Sequence, residues 1–476
     1  MLCALAPRAQ IDAMVRSWGT RRWRSCALLA GFLWLHQKDG NRFVLPPSSA
    51  RAEIPTLEAS TVASTANLAK SVVGAGVLSL PSGAAKVFDV AQQSGYDHSS
   101  CVLGLLSLYL LFGGLNAGGF YLIGVVCERC GARTYQEAWR KTLGDQLDWL
   151  PSAASLVCSF TGMVACISVL GDTASQLVAV VSHNYLPKEM LVNSISTFAL
   201  LPLCLLPSLS PLAFASVLGL IGVCVLAFAM TVRCFDGSYS PGGVYYSDVR
   251  AAVDGLSQVA TAHNSLPLLQ ELVVFAAVLS NAFTAHFNAP TIFNELQPPT
   301  GSTSRLPQFA VATSAAFFLS GLLCCAITIT GVETFGMSSG SSILASYSSA
   351  DPLSWVAKLG LALCVLFEFP LLERCFRKTI VELCRFPWLE HNFFAVAASV
   401  ASAVAVASIP GFGLDKSSAI GGALGASFLV YVAPALMALQ LSPGKSSLSA
   451  PKTMLQGVAA LGAVLGSLGV AEAMQS

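Results

Sequence analysis

The chain has 476 residues, of which 54% are hydrophobic and only 11% are charged, and its mean hydropathy is +0.66. This composition excludes a soluble globular domain and a disordered chain, and it indicates a membrane protein that crosses the bilayer several times. The net charge of +1, without a basic tract interleaved with aromatic residues, argues against a nucleic-acid partner.

Residues 1–59 form a basic extension that differs from the rest of the chain. Four arginines between positions 16 and 24 precede a ten-residue apolar run, residues 26–35, which is too short to cross a bilayer. This arrangement is typical of a targeting segment. It fits equally well a basic cytoplasmic tail that touches anionic lipid, and the sequence leaves open whether the segment is cleaved.

The first long apolar stretch, residues 67–87, reads NLAKSVVGAGVLSLPSGAAKV. Glycine loses much backbone entropy in a helix and proline lacks an amide hydrogen, so Gly74, Gly76 and Pro81 predict a helix that is broken near the middle of the membrane. Lipid cannot satisfy the N–H and C=O groups that a break leaves free, and a polar ligand is therefore expected there. The positive end of a half-helix suits a carboxylate, and free carbonyls suit a cation or a proton donor, which favours a carrier of amino acids.

From Ser60 onward, apolar runs of about twenty residues alternate with short polar breaks, and this pattern predicts eleven membrane-spanning helices in residues 60–476. The predicted crossings are residues 63–86, 101–126, 152–182, 191–207, 211–232, 272–294, 307–332, 353–380, 392–410, 417–440 and 453–471. Residues 135–147 are expected to form an interfacial helix and residues 233–271 a surface loop.

Lysine and arginine concentrate in the connections that lie on the same side as the N-terminus, which places the N-terminus in the cytoplasm. After an odd number of crossings, the C-terminus lies on the opposite side. The pattern does not distinguish the plasma membrane from an organelle membrane.

A second interrupted crossing is predicted at residues 283–296, FTAHFNAPTIFNEL, where His286, Asn288 and Pro290 interrupt an apolar segment. Five crossings separate its start from the start of the first broken one. Corresponding broken helices in two halves are the pattern of an inverted-repeat carrier with its site between the repeats.

The division that follows is a first repeat of five helices, a second repeat of five, and an eleventh helix outside them. These parts correspond to residues 63–232, 272–440 and 453–471.

The stretch NLAKSVVGAGVLSLPSG resembles the first-helix signature of the amino acid/auxin permease family, which includes the vesicular and sodium-coupled neutral amino acid transporters. AHFNAPTIFNEL resembles the sixth helix of that family, and LPLCLLPSLSPLAFASVLGL, GVETFG, IPGFG and ASFLVYVAPALMAL agree with it. The resemblance covers about residues 60–470. It implies a leucine-transporter-like fold of eleven helices and secondary active amino acid transport driven by a proton or sodium gradient.

The predicted eighth crossing departs from the sodium-coupled members, which carry hydroxyl residues before a proline because threonine oxygens help to coordinate the ion. Here the same place reads LFEFP, with Glu368. The departure favours a proton over sodium as the co-transported ion, and no other cofactor and no metal site are expected. A C-x-x-C motif, Cys127 to Cys130, has no partner pair at zinc spacing.

Three backbone positions are the first candidates for substrate binding. Gly74, Ala75 and Gly76 are expected to form the unwound segment whose amides receive the substrate α-carboxylate, and bulk at either glycine is expected to abolish transport. Ser71 belongs to the same set. The alternative is that these small residues only allow close helix packing.

The second broken helix supplies two further candidates for substrate binding, His286 and Asn288. His286 matches the histidine of the family's sixth helix and titrates near neutral pH in its ordinary state. A structural brace to a neighbouring carbonyl is an equal alternative for His286.

Glu368, Lys70 and Val73 are the candidates for ion coupling. A carboxylate at the bilayer centre costs roughly 2.5–3.5 kcal/mol on insertion scales, so Glu368 is expected to face a cavity, to have a partner or to be protonated. Lys70, four residues before Gly74, is the expected partner. The alternative is that Glu368 pairs with Arg374 and only orders its helix.

Glu295 and Asp172 are the candidates for a gate or brace. Glu295 is placed where the sixth helix leaves the membrane, and the alternative is an ordinary solvated helix end. Asp172, in the third crossing, is a candidate to pair across the bundle, including with Lys70.

Two functions are consistent with these patterns. The first is a secondary carrier of amino acids in a lipid bilayer, and the second is a sensor or scaffold of the same fold that transports weakly or not at all. A sensor is expected to have a long folded N-terminal arm. The extension of this chain, residues 1–59, has only weak helical periodicity, and this favours the carrier. The sequence contains no nucleophile elbow, phosphate loop or metal cluster, so an enzyme is not expected. Protein partners are not indicated.

Overall fold

The computed structural model describes residues 61–182, 186–206, 212–247, 267–298, 301, 303–340, 342–384, 386–441 and 451–473. Its α-helices, numbered in chain order, are α1 Thr61–Val72, α2 Leu80–Gln93, α3 His98–Cys130, α4 Tyr135–Leu143, α5 Trp149–Ser182, α6 Lys188–Ile195, α7 Leu201–Cys204, α8 Leu212–Phe235, α9 Leu268–Ala282, α10 Ala289–Glu295, α11 Leu306–Phe335, α12 Pro352–Cys384, α13 Phe393–Ala407, α14 Leu414–Ile420, α15 Ala433–Gln440 and α16 Lys452–Ala473. The predicted targeting segment and most of the predicted loop at 233–271 lie outside the described residues.

Eight helices in the described part of the chain are long and apolar enough to cross a bilayer. A ninth crossing results when α1 and the helical segment after it are taken as one span, bent by 44°. The protein is therefore all-α and crosses the membrane several times, as the composition predicts. Two predicted crossings contain shorter helices: residues 188–204, where a π-helical turn joins α6 to α7, and α13. The total of eleven crossings stays a prediction.

The short helix α4 forms where an interfacial helix was expected, but it ends at Leu143. Its start is fixed by paired caps, because the Thr134 hydroxyl accepts a hydrogen bond from the Glu137 amide and the Glu137 carboxylate accepts one from the Arg133 amide. The ion pair with Lys141 and the hydrogen bond from the Arg133 amide hold the pKa of Glu137 below its usual value. Gly144 ends the helix with a positive φ of 89°.

The first broken helix consists of α1, a 3₁₀ segment Ala75–Ser79 and α2. Regular α-helical hydrogen bonding stops at the glycines: Gly74 has an extended backbone (φ −106°, ψ −158°) and its amide donates back to the Val72 carbonyl at 3.2 Å. Pro81 lies in the first turn of α2, where its missing amide hydrogen leaves no donor unsatisfied. The break is therefore made by the glycine segment, and Pro81 begins the second half.

The second broken helix consists of α9, a non-helical step at residues 283–285, a 3₁₀ turn His286–Asn288 and α10. Pro290 lies in the first turn of α10, as Pro81 does in α2. The predicted interruption of this segment is therefore present in the structure.

The two breaks meet inside the bundle. A Cβ atom built on Gly76 would lie 3.6 Å from the Ala282 Cα atom, at the end of α9, which is ordinary van der Waals contact. The 3₁₀ segment Ala75–Ser79 also packs against α5, α11 and α14. Both interruptions therefore lie against each other in the core.

Helix α12 packs closely against α8, and this contact places Glu368. A Cβ atom on Gly222 would lie 2.8 Å from the Gly360 carbonyl carbon, so the two backbones approach as closely as glycine permits. One helical turn away, a Cβ on Gly219 would lie 3.1 Å from the Cys364 sulfur. Because α1 also packs on α8, the side of α12 that carries Glu368 is brought to the break in the first helix.

Candidate functional site

The Glu368 carboxylate lies directly against the break in the first helix. A Cβ atom on Gly74 would lie 2.9 Å from both Cδ and Oε2 of Glu368, and closer still to Oε1. The backbone amide of Ala75, the residue after Gly74, lies close enough to act on the same carboxylate as a donor. Since the backbone of Gly74 is in a region that any residue adopts, the need for glycine here comes from the carboxylate and not from the dihedral angles.

The second carboxylate oxygen, Oε2, is buried and has no hydrogen-bond partner among the described residues. A buried carboxylate oxygen without a donor is costly, and it is the atom to which a proton or a ligand group would bind. The Oε2 atom of Glu368 is therefore available to take a proton or to accept a hydrogen bond from a ligand.

Lys70 supplies the positive charge near this carboxylate. Its side chain is 2% exposed, and it lies within electrostatic range of Glu368. The two do not approach within 4.0 Å, so they are not a contact ion pair. The predicted partnership of Lys70 and Glu368 is present as a longer-range interaction, and the immediate partner is a backbone amide, which the sequence did not indicate.

The break presents an accessible face. Ser71, Gly74 and Gly76 are partly accessible, whereas Val73 and Ala75 between them are 1% and 4% exposed. The Ser71 hydroxyl donates to the Asn67 carbonyl at 2.8 Å. Of these residues, Gly74 faces Glu368, and Glu368 is itself partly accessible.

His286 lies in a buried polar network and not at this face. Its side chain is fully buried, and its Nε2–H donates to the Asn116 carbonyl at 3.0 Å. The Asn116 side chain donates to the Tyr431 hydroxyl at 3.1 Å, and that hydroxyl is 2.6 Å from the Ser280 hydroxyl. The network joins α3, the second broken helix and the π-helical segment Gly421–Val432. This position favours the bracing interpretation of His286.

The other polar residues of the second broken helix lie nearer its end. Asn288 is partly accessible. The Asn294 side chain donates to the Ala132 carbonyl at 3.2 Å, which ties α10 to the end of α3. Glu295 is exposed, which fits a solvated helix end as well as a gate.

Two ion pairs that the sequence suggested for charged residues are not present in the described part of the structure. Asp172 accepts from Lys188 Nζ at 2.5 Å, and both side chains are more than one-third exposed, so this pair braces α5 against α6. A pairing of Asp172 with Lys70 is therefore wrong. Arg374 donates to the Leu206 carbonyl at 3.4 Å, and it forms no ion pair with Glu368.

Two buried ion pairs were not anticipated from the sequence. Glu373 is fully buried, lies 3.2 Å from Arg377 and accepts from the Ser399 hydroxyl at 2.9 Å. The i, i+4 spacing of Glu373 and Arg377 is a signal that the sequence carried. Glu373 differs from Glu368 because both of its oxygens have donors.

The second buried ion pair, between Arg233 and Asp351, belongs to a cluster at the start of α12. Arg233 donates to both of its oxygens, at 2.6 and 2.9 Å, and Tyr239 donates at 3.0 Å. Burial acts to raise the pKa of Asp351, but the hydrogen bonds from Arg233, Tyr239 and the Leu353 amide outweigh it, so the pKa lies below its ordinary value. The cluster fastens α8 to α12 at one end of the bundle.

A bundle of membrane-crossing helices with two interrupted helices meeting at its centre defines the class: an integral, multi-pass membrane protein with a transporter fold. The crystal structure of a mutant of the Eremococcus coleocola manganese transporter shares this fold, with a TM-score of 0.55 over 92% of this chain and 91% of that one. The sequence identity is 12%, so the likeness concerns the fold alone.

A sequence model of the family described as "Transmembrane amino acid transporter protein" matches residues 58–475, and the chain belongs to that family. Sodium-coupled neutral amino acid transporter 7 of Xenopus laevis is 22% identical over 68% of this chain and 65% of its own length. Vacuolar amino acid transporter 5 of Schizosaccharomyces pombe is 25% identical over 73% of this chain and 75% of its own. The relatives are amino acid transporters, and the protein is not an enzyme. Together they support amino acid transport across a membrane.

Proposed function

We propose that the protein is a secondary active transporter of amino acids, coupled to protons, which works by alternating access around the region where the two broken helices meet. One observation carries the proposal. The carboxylate of Glu368 lies against the break in the first helix, beside the Ala75 amide, and its buried Oε2 has no donor among the described residues. A site of this kind holds both a place for a carboxylate and a group that can take a proton.

The substrate carboxylate would bind at the amides of Ala75 and Gly76. These amides begin the helical segment that continues into α2, and the partial positive charge of a helix start favours an anion there. The partly accessible surface of Ser71, Gly74 and Gly76 gives the ligand access. Of the two candidates for substrate binding on the second broken helix, His286 and Asn288, only Asn288 has a partly accessible side chain.

Coupling would reside in Glu368, with Lys70 and the Val73 backbone beside it. A charge at the centre of a bilayer costs roughly 2.5–3.5 kcal/mol on insertion scales, so a charged residue at this position is expected to have a functional or a structural role. Arg374 does not supply a structural role for Glu368, because no ion pair joins these two described residues. A proton on Glu368 in the loaded state, and none in the empty state, would link substrate movement to the proton gradient.

The fold we propose is leucine-transporter-like, with two inverted repeats of five helices and an eleventh helix. Internal likeness between the halves supports it. Each broken helix consists of an α-helix, a 3₁₀ turn and a second α-helix whose first turn contains a proline, Pro81 or Pro290. Five predicted crossings separate their starts. Shared local structure at corresponding positions is what two copies of one repeat would give.

Glu295 and Asp172 have supporting roles in this proposal. The exposed ion pair of Asp172 with Lys188 braces two helices and is expected to contribute little, since exposed pairs give about 0–1 kcal/mol. Glu295, at the end of α10, would act as a gate residue only if it changes partners during the transport cycle.

Uptake into proteoliposomes tests the function. The purified full chain would be reconstituted, and labelled L-alanine, L-glutamine and L-leucine would be supplied under an imposed proton gradient, an imposed sodium gradient, or neither. The proposal expects uptake that rises with the proton gradient and is unaffected by sodium. Uptake that is flat across every gradient would remove active transport, and uptake that follows sodium alone would remove proton coupling.

A further inference from the structure

The Ala75 amide is the donor that a substrate carboxylate would need, and in this structure the Glu368 carboxylate already lies beside it. Glu368 reaches it from α12 because Gly74 has no side chain in the way. A carboxylate hydrogen-bonded at the start of a helical segment is chemically the same group, in the same place, as the α-carboxylate of a bound amino acid. Two carboxylates cannot occupy this one position together.

We infer that Glu368 is a built-in competitor of the substrate carboxylate for the Ala75 amide, and that a proton added to Glu368 releases the amide for the substrate. The inference rests on the proposed transport function and deepens it, because it states how proton binding and substrate binding are linked. The step is one proton from solution joining the Glu368 carboxylate, with no other covalent change.

The hydrogen-bond strengths support this order of events. Hydrogen bonds to an ionised acceptor are roughly twice as strong as those between neutral groups, so ionised Glu368 holds the Ala75 amide firmly and protonated Glu368 holds it weakly. A proton has a ready position on Oε2, the oxygen that has no donor among the described residues. Protonation therefore weakens the internal contact without requiring a rearrangement first.

The charge of the site supports it as well. Within the described part of the chain, the titratable groups in electrostatic range of Glu368 are Lys70 on α1, Cys166 on α5 and Cys364 on α12 itself. With the lysine positive and Glu368 ionised, the empty site is neutral. After Glu368 takes a proton, the lysine charge remains, and the substrate carboxylate replaces Glu368 as its counter-charge, while the ammonium group of the zwitterionic substrate adds one positive charge. Exchange of one carboxylate for the other keeps the lysine beside a negative charge at depth in the bilayer.

Binding measurements on the purified full chain test this inference without transport. Labelled L-alanine, L-glutamine and L-leucine would be assayed at pH 5.5 and 7.5, and proton uptake would be obtained by calorimetry in two buffers with different ionisation enthalpies. We expect the affinity of the wild type to increase as pH falls, by up to tenfold per pH unit, with up to one proton taken up per amino acid bound. L-alaninamide, which lacks the carboxylate, should not displace the label.

The variant Glu368→Gln should bind at pH 7.5 at least as tightly as the wild type, with no proton uptake and no pH dependence. Glu382→Gln is the matched control, because Glu382 is an exposed carboxylate on the same helix that accepts from Ser152 and does not touch the break. It should keep the pH dependence of the wild type.

Binding by the wild type without proton uptake, uptake that survives in Glu368→Gln, or weaker binding by that variant at both pH values would overturn the competition and leave amino acid transport standing. Should Glu368→Gln fail to fold, proton uptake by the wild type alone decides the question. If none of the three amino acids binds and none is taken up by proteoliposomes, the proposed function itself fails.

Discussion

The contact between Gly74 and Glu368 gives a sharp prediction, because the two glycines of the break differ. A methyl group at Gly74 would overlap the Glu368 carboxylate, whereas a methyl at Gly76 would meet only Ala282, at a normal distance of 3.6 Å or more. We therefore expect Gly74→Ala to impair the protein and Gly76→Ala to be tolerated. The sequence alone assigned both glycines the same role.

The magnitude follows from what the methyl group displaces. The carboxylate ends a flexible side chain and can move, but it then loses its hydrogen bond from the Ala75 amide while staying buried. A hydrogen bond to a charged group contributes about 1.5–3 kcal/mol, so Gly74→Ala should destabilise the protein by about that amount. In binding, each 1.4 kcal/mol is a factor of about ten.

A double-mutant cycle measures this effect. Apparent melting temperatures of the purified protein in detergent would be compared for Gly74→Ala, Gly76→Ala and Glu368→Ala, and for Gly74→Ala combined with Glu368→Ala. Because Glu368→Ala removes the atoms that clash, Gly74→Ala should add almost nothing in that background, so the coupling should be about 1.5–3 kcal/mol. Equal effects of Gly74→Ala in both backgrounds, or equal effects of the two glycine substitutions, would refute the reasoning.

Three further predictions concern the residues around the site. Asp351→Asn should lower thermal stability by about 1.5–3 kcal/mol, because it removes the buried carboxylate that binds Arg233; the loss is smaller than for a fully unpaired charge, since Asp236 stays 2.6 Å from Arg233. Since the pKa of Asp351 is depressed, its contribution is present above about pH 4 and is lost only as pH falls below it, so melting curves between pH 5 and 7.5 should show no transition from this cluster. His286→Gln, which keeps a donor for the Asn116 carbonyl, should retain more binding than His286→Ala; equal loss in both would indicate contact with the substrate. Asp172→Asn should change the melting temperature little, as expected for an exposed pair.

Local sequence was sufficient to locate both interruptions. Gly74 and Gly76 weaken helical hydrogen bonding wherever they occur, and Pro290 follows the second break as Pro81 follows the first. These effects depend on the backbone of a few neighbouring residues and need no tertiary information. The sequence pattern did not identify the cause of the first break correctly. It assigned part of that break to Pro81, whereas Pro81 lies in the first turn of α2.

The partners of the charged residues could not be predicted in the same way. Glu368 was recognisable as a charge inside an apolar segment, but which group it meets depends on how α12 packs on α8, through Gly222 and Gly360. A rotation of α12 by one residue, about 100°, would turn the carboxylate away from the break. For the same reason, Asp172 met Lys188, a residue of the following connection, and not a residue across the bundle.

The same geometry bears on the choice of coupling ion. Sodium sites near a broken helix are made of carbonyl and hydroxyl oxygens, and a bound sodium ion brings one positive charge. Here Lys70 already places a positive charge within range of Glu368, and the carboxylate is engaged by the Ala75 amide. A sodium ion would add the same single charge as a proton, but it would have to share the carboxylate with the Ala75 amide. A proton adds its charge to Glu368 itself and leaves the amide free, and the arrangement of these three groups therefore favours the proton.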